Sequence, residues 1–137
     1  MIVVDSSAMI AVLLREDHAR QILESLDGIE SLAAPAMMPY EVLNALHSAV
    51  RRRRLRADGI SRSIAFYLGF PWALDIHSTE ARLREVSRLA DVHGLSAYDA
   101  SFLELAMRQG CPLVSLDDEL RKAAKAEMVE VRPRSVR

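Results

Sequence analysis

The feature that most constrains the fold is the alternation of short apolar segments with longer segments of helical periodicity. Ile2–Val4 is a β-branched run typical of a strand that is buried on both faces of a parallel sheet. Residues 31–34, 72–76 and 112–115 resemble it more weakly, and residues 128–131 are expected to add an edge strand. The pattern predicts an α/β fold, a three-layer α/β/α sandwich with a central, mainly parallel sheet.

Apolar spacing and end signals predict the helices between these strands. One helix is expected over residues 8–26, where Asp27-Gly28 ends it, and another begins at Pro39 and runs to the arginines near position 51. Residues 60–68 are expected to form the next helix. Thr79 and Ser96 are expected to cap two further helices, and Asp117 begins a last short one.

Length and composition favour one ordinary globular domain. The chain has 137 residues, of which 50% are hydrophobic and 27% charged, so a single domain over residues 1–137 is expected. Cys111 is the one cysteine, which excludes an intrachain disulfide and favours a reducing compartment. No signal peptide or run of about 20 apolar residues is recognisable, so we expect a cytoplasmic protein.

Four acidic residues occupy comparable places in this pattern. Asp5 directly follows the first strand, and Asp117 lies two residues after Ser115 at the end of another. Glu41 and Asp99 lie in the first turns of predicted helices. Because sites in open parallel sheets lie outside the carboxyl ends of the strands, the four carboxylates are expected to converge there.

Helix capping is the alternative explanation for each acid taken alone, because carboxylates satisfy the free N–H groups of a helix N-terminus. Two details favour a site. Asp99 lies on the apolar stripe of its helix, where an unpaired carboxylate is rarely buried, and Glu41 adjoins a polar strip that contains Asn44 and Ser48.

Several carboxylates brought together repel one another unless a cation compensates. Hard oxygen ligands without a cysteine or histidine favour Mg²⁺, with Mn²⁺ as a substitute, over zinc. The histidines share no common spacing, so we expect surface or helix-end residues and not an acid-base pair; they are His18, His47, His77 and His93. The residues therefore predict a divalent-metal site.

Four segments together resemble the PIN-domain family, and within it the VapC-type toxins of bacterial toxin-antitoxin pairs. In the family's order and spacing, they are residues 2–7 (IVVDSS), 40–46 (YEVLNAL), 95–100 (LSAYDA) and 114–117 (VSLD). The resemblance extends from the start of the chain to about Leu120. It implies one PIN-like nuclease domain.

The resemblance also implies roles for individual residues. The family's four acids, which would bind the metal and act in catalysis, fall on Asp5, Glu41, Asp99 and Asp117. Supporting positions fall on Ser7 and Ser115, and Asn44 is either a supporting residue or a plain surface amide. Asp118 remains an alternative to Asp117 as the fourth ligand, although the spacing from Ser115 favours Asp117.

The implied activity is that of a Mg²⁺-dependent endoribonuclease, in which carboxylates hold one or two ions that activate water and offset charge on the phosphate. The implied partners are RNA, a small VapB-type antitoxin that occupies the acidic groove, alone or in a larger heteromeric complex, and a second copy of the chain in a homodimer. A housekeeping nuclease for RNA processing and a catalytically silent binding module are the alternatives.

An arginine run follows the helix that carries Glu41. Arg51, Arg52 and Arg53 either contact RNA phosphates or form a solvated face at the helix C-terminus, where cations interact favourably with the dipole. The sequence leaves both explanations open.

Overall fold

The computed structural model describes residues 1–136, and its centre is a five-stranded, entirely parallel sheet with the order β3-β2-β1-β4-β5. The strands are β1 Ile2–Val4, β2 Leu32–Pro35, β3 Trp72–Asp75, β4 Leu113–Val114 and β5 Val131–Arg132. The strand predictions are therefore confirmed, apart from shifts of one to three residues at their ends.

The first strand lies at the middle of the sheet. Val3 is in register with Ala33 of β2, and Val4 is in register with Val114 of β4. Every residue of Ile2–Val4 is fully buried, as the β-branched run predicts for a strand covered on both faces.

Helices cover both faces of the sheet. In chain order they are α1 Ser6–Leu13, α2 Ala19–Leu26, α3 Met38–Arg51, α4 Gly59–Leu68, α5 Glu80–His93, α6 Ala97–Gln109 and α7 Asp118–Ala126. Helix α1 packs against α2, α3 and α4, whereas α6 packs against α5 and α7. Right-handed crossovers place these two groups on opposite faces, because the chain moves one way from β1 to β3 and the other way from β4 to β5. The predicted three-layer α/β/α architecture is confirmed.

The single helix predicted over residues 8–26 is wrong. The structure divides it into α1 and α2, and Arg15 between them has a left-handed φ of 54°. The buried face of α1 includes Met9 and Val12, and an unbroken helix would place Glu16 and Arg20 on that same face. The turn avoids this burial of charge and lets α2 present its own apolar face.

The predicted end signals of α5 and α6 are present. The Thr79 hydroxyl accepts a hydrogen bond from the Arg82 N–H at 3.4 Å, and the Ser96 hydroxyl accepts one from the Asp99 N–H at 3.0 Å. Gly94 ends α5 with a φ of 64°, which favours glycine because a side chain would be strained there. None of the described helices is long and apolar enough to cross a membrane.

Candidate active site

Asp5 lies at the carboxyl end of the central strand, where the direction of the strand order changes between β1 and β4. Its backbone N–H donates to the Val114 carbonyl at 3.0 Å, which holds the ends of the two strands level. Its side chain caps α1 by accepting the Ala8 N–H at 2.9 Å, and the residue is only 2% exposed. Asp5 therefore has both a capping contact and a position at the switch point where parallel sheets bind ligands.

Two serine hydroxyls hold the Asp5 carboxylate. The Ser7 hydroxyl lies 2.8 and 2.9 Å from its two oxygens, and the Ser115 hydroxyl donates to Oδ2 at 2.7 Å. The same hydroxyls accept backbone N–H groups beyond β4: Ser7 from Leu116 and Ser115 from Asp117, each at 3.0 Å. Ser7 and Ser115, two of the residues predicted to support the site, thus contact Asp5 and join the loop after β4 to it.

Burial raises the pKa of Asp5 to about 6, and the charge of Asp117 adds to the increase. Hydrogen bonds from Ser115, from the Ala8 N–H and from Ser7 oppose it without cancelling it. Within residues 1–136, no Lys, Arg or His nitrogen lies within 4.0 Å of this carboxylate. Among these residues, the carboxylate is consequently a buried acid with hydrogen-bond donors but no cation within ion-pair distance.

Glu41 lies in the first turn of α3 and has a buried oxygen without a partner. Its Oε2 atom makes no hydrogen bond to the described protein. Burial raises the pKa of Glu41, the charge of Asp99 raises it further, and the Ser6 hydroxyl opposes the increase. Glu41 is therefore close enough to Asp99 for electrostatic repulsion, and Ser6 next to Asp5 connects it to the end of β1.

Asp99 lies in the first turn of α6, where Ser96 fixes it twice. The Ser96 hydroxyl accepts the Asp99 N–H and donates to Asp99 Oδ2 at 2.9 Å. The apolar stripe that follows it is fully buried, as Phe102 and Leu103 show, but Asp99 itself is only half-buried. The carboxylate thus lies at the solvent end of the stripe and not within the core.

Asp117 and Asp118 have different surroundings. Asp117 is half-buried and caps α7 by accepting the Leu120 N–H at 2.7 Å, and its charge acts on Asp5. Asp118 is exposed, and its charge acts on Arg121. Of the two alternatives that the sequence leaves open, the geometry favours Asp117 as the acid that faces Asp5.

Arg121 is a buried residue near the site that the sequence did not indicate. Its guanidinium donates to the Ser115 carbonyl at 2.7 Å and to the Pro133 carbonyl at 2.8 Å, and it is 6% exposed. Burial lowers its pKa, whereas the charges of Asp118 and Asp5 oppose this decrease. It ties together the ends of β4 and β5. The only local signal is its place one turn after Asp117.

The four acids lie at one edge of the sheet as two interacting pairs, Asp5 with Asp117 and Glu41 with Asp99. In the part of the chain that the structure describes, no group of three or more His, Cys, Asp or Glu side chains is close enough to hold one metal ion. The arrangement concentrates negative charge and leaves one carboxylate oxygen unpartnered.

Comparison with known proteins identifies the family. The model for the PIN domain matches residues 2–126. The chain belongs to the PIN domain family. Ribonuclease VapC3 of Pyrobaculum aerophilum is 34% identical over 119 residues, covering 87% of this chain and 91% of that protein. The chain is accordingly a nuclease.

Solved structures agree with this PIN fold. PAE2754 from Pyrobaculum aerophilum superposes with a TM-score of 0.68 at 30% identity, covering 95% of this chain and 81% of that one. VapC20 of Mycobacterium tuberculosis, described as a sarcin-ricin loop cleaving toxin, has a TM-score of 0.65 at 15% identity, with 90% and 95% coverage. The second likeness bears on the fold alone.

Two further predictions concern the exposed surface of α3 in this PIN domain. Asn44 is exposed on α3, and Arg51, Arg52 and Arg53 are exposed at its far end. Arg52 lies about 16 Å from Glu41 along the helix axis, because an α-helix rises about 1.5 Å per residue. The structure therefore separates the arginine run from the four carboxylates.

Proposed function

We propose that this PIN domain is a Mg²⁺-dependent endoribonuclease in which Asp5, Glu41, Asp99 and Asp117 hold the metal and act in catalysis. The observation that supports it most directly is the buried Glu41 Oε2 atom, which has no hydrogen-bond partner among the described residues. A buried polar atom without a partner is costly unless a ligand satisfies it. A cation fits this atom, because burial and the neighbouring Asp99 both disfavour an uncompensated charge there.

The chemistry of the donors favours a hard divalent cation. All four candidate ligands are carboxylates, which suit Mg²⁺ and allow Mn²⁺ as a substitute, whereas zinc sites ordinarily include histidine or cysteine. When bound, the ion supplies activation of water and neutralisation of charge on the phosphate. Asp5 and Asp99 are the most direct ligands in this proposal, and Glu41 and Asp117 complete the site directly or through water.

The surrounding residues orient these acids. Ser7 and Ser115 fix the Asp5 carboxylate from two sides, and Ser96 fixes Asp99 Oδ2. Arg121 holds the loop that carries Ser115 through its carbonyl. No side-chain nucleophile is required, because water attacks the phosphodiester bond.

We further propose that the biological role is that of a toxin whose activity a small VapB-type antitoxin inhibits. Support comes from the relative named VapC3 and from the family of the chain. We expect a homodimer, to which an exposed apolar group contributes: Ile76, Leu83 and Tyr98 line one groove and are each more than half exposed. A housekeeping role in RNA processing is the alternative. Growth arrest on expression, relieved by the product of a neighbouring gene, would favour the toxin role. Analytical sedimentation would show whether the protein is a dimer.

Cleavage of labelled RNA tests the enzymatic proposal. The wild type should cleave with Mg²⁺ and not with EDTA, and Asp5→Asn and Asp99→Asn should each reduce the rate by at least about 100-fold, because each removes a charged ligand. Asp17→Asn is the matched control, since Asp17 is exposed and distant in the chain from all four acids. It should cleave at the wild-type rate.

The capping contacts support a different proposal, a silent binding module. Asp5 and Asp117 do accept helix N–H groups, as simple caps would. If Asp5→Asn and Asp99→Asn cleave RNA as fast as the parent, the four-acid site is wrong. Absence of any cleavage by the wild type, with unchanged stability on addition of Mg²⁺, would favour the binding module.

A further inference from the structure

The exposed face of α3 connects the acid edge to the arginine run. Tyr40, Asn44, His47 and Arg51 are all exposed, and their spacing of four, three and four residues places them in one stripe along the helix. Tyr40, beside Glu41, is 73% exposed, so its ring is accessible to a ligand that stacks on it.

The far end of the stripe carries positive charge without compensation. Among residues 1–136, no carboxylate lies within 4.0 Å of Arg51, Arg52 or Arg53. Arg54 differs, because its guanidinium pairs with Glu16 at 2.7 Å. The first three arginines are therefore available to a polyanion.

Other exposed arginines follow a different pattern. On α5, Arg84 pairs with Glu80 and Arg88 pairs with Glu85, each at 2.7 Å, as in an ordinary solvated helix face. On α3, Glu41 is the one acidic residue between Met38 and Arg51. The stripe thus leads from the acids towards increasingly positive surface.

The helix dipole explains only part of this surface. Its effect falls off within the last turn, so it accounts for a cation at Arg51. It does not account for an exposed tyrosine in the first turn, nor for an amide and an imidazole between the two ends. These groups are the ones that contact unpaired bases and sugars.

We propose that Tyr40, Asn44, His47 and Arg51, continued by Arg52 and Arg53, form a track that binds single-stranded RNA on one side of the cleavage site. Tyr40 stacks on a base next to the acids, Asn44 and His47 contact bases or sugars, and the arginines contact phosphates about 16 Å away along the helix. The proposal rests on the proposed function for the identity of the substrate as RNA. It adds that this RNA is single-stranded and that it lies along α3, from the acids to the arginines.

Binding measured without cleavage tests this α3 track. The method is fluorescence anisotropy with an unstructured labelled oligoribonucleotide in EDTA. For Arg52→Ala/Arg53→Ala, the Kd should rise on the order of tenfold. The slope of log K against log salt should also become shallower by about 1.4, since each phosphate contact to a single strand contributes about 0.7. Tyr40→Ala should also raise the Kd about tenfold, but with the salt dependence unchanged, because stacking releases no counterions.

The control removes the same charge elsewhere. Arg20→Ala/Arg84→Ala replaces two exposed arginines on α2 and α5 and should leave the Kd unchanged. If the control weakens binding as much as Arg52→Ala/Arg53→Ala, binding depends on net charge and the track is overturned. Equal affinity of the wild type for a duplex of the same length would overturn the preference for a single strand.

Cleavage assays separate failure of the track from failure of the proposed function. If the wild type cleaves RNA and the Arg52→Ala/Arg53→Ala variant binds and cleaves as the wild type does, the track is wrong and the nuclease proposal stands. If no protein cleaves RNA but the affinities follow the expected pattern, the nuclease proposal fails and the track stands as an RNA-binding surface. If the Arg52→Ala/Arg53→Ala variant lost binding to a protein partner but kept its affinity for RNA, the track would also be overturned.

Discussion

Among single residues, the burial of Asp5 should give the metal-free protein a distinctive pH dependence. The pKa of its carboxyl is about 6 in the folded protein, against 3.8 for an ordinary aspartate. The folded state therefore binds this proton more tightly, so the contribution to stability is complete below about pH 4 and is lost as the pH rises through about 6. The loss amounts to about 3 kcal/mol.

Denaturant unfolding in EDTA, at about pH 4 and about pH 7, measures this contribution. The free energy of unfolding of the wild type should fall relative to that of Asp5→Asn over this interval, because asparagine does not titrate. Asp118→Asn is the control, since Asp118 is exposed, and its pH dependence should follow that of the wild type. Parallel curves for the wild type and Asp5→Asn would contradict the buried, unpaired state of Asp5.

Some contacts of the acids could be predicted from the sequence and others could not. Ser7 and Ser115 adjoin the ends of strands that the apolar runs already indicate, so their closeness to Asp5 follows from two neighbouring parallel strands. The role of Arg121 depends on carbonyls of β4 and β5 brought together by the sheet, and no local pattern encodes them. The half-exposure of Asp99 likewise depends on where α6 begins relative to the core.

Among the helices, the N-caps of α5 and α6 offer a matched pair of substitutions. Thr79→Ala and Ser96→Ala each remove one capping hydroxyl and should each lower the free energy of unfolding by about 1 kcal/mol. Only Ser96 also donates to Asp99 Oδ2, so Ser96→Ala frees the carboxylate as well as the helix end. Under the proposed function, it should reduce RNA cleavage by about tenfold, whereas Thr79→Ala should not.

Thermal unfolding, together with a cleavage assay run below the unfolding transition, distinguishes the two effects. Equal loss of cleavage in both variants would mean that stability alone limits activity. Ser96→Thr keeps a hydroxyl at the cap and should restore most of the cleavage lost in Ser96→Ala. Failure of this rescue would contradict the role of the hydroxyl in orienting Asp99.

The elements themselves were predictable where the signals are local. Hydroxyl caps, Gly94 and the β-branched run of β1 act through residues that are close in sequence. The separation of α1 from α2 could not be predicted in this way, because it depends on which face of each helix meets the sheet. The last strand begins only at Val131, since Met128 before it has a left-handed φ of 59° that extends the turn after α7.

For the whole molecule, the parallel sheet and the acids have opposing effects on stability. A central strand buried on both faces stabilises the fold, yet its carboxyl end concentrates Asp5 and Asp117, whose charges repel. Glu41 and Asp99 form a second repelling pair. A protein that folds with such repulsion should gain stability whenever a cation binds to the folded state and not to the unfolded chain.

Mg²⁺ should therefore raise the unfolding midpoint of the wild type. The gain is about 2.7 kcal/mol when the free ion is at about 100 times its Kd. Asp99→Asn should remove most of this gain, because it lowers the charge of the site by one and removes a candidate ligand. Asp118→Asn should retain it if Asp117 is the acid that faces the metal. Differential scanning fluorimetry over a Mg²⁺ titration measures all three proteins.

Matched ionic strength decides whether such a gain reflects a site. NaCl screens repulsion among all charges, so it should stabilise the wild type and Asp99→Asn by similar amounts. Both amounts should be smaller than the gain of the wild type with Mg²⁺. A site, in contrast, makes Mg²⁺ effective at concentrations where NaCl of equal ionic strength is not, and it makes the effect saturate. If the two salts raise the midpoint equally, the acids repel without binding a metal in common. In that case their closeness reflects helix capping at the edge of a parallel sheet, and catalysis would need another source.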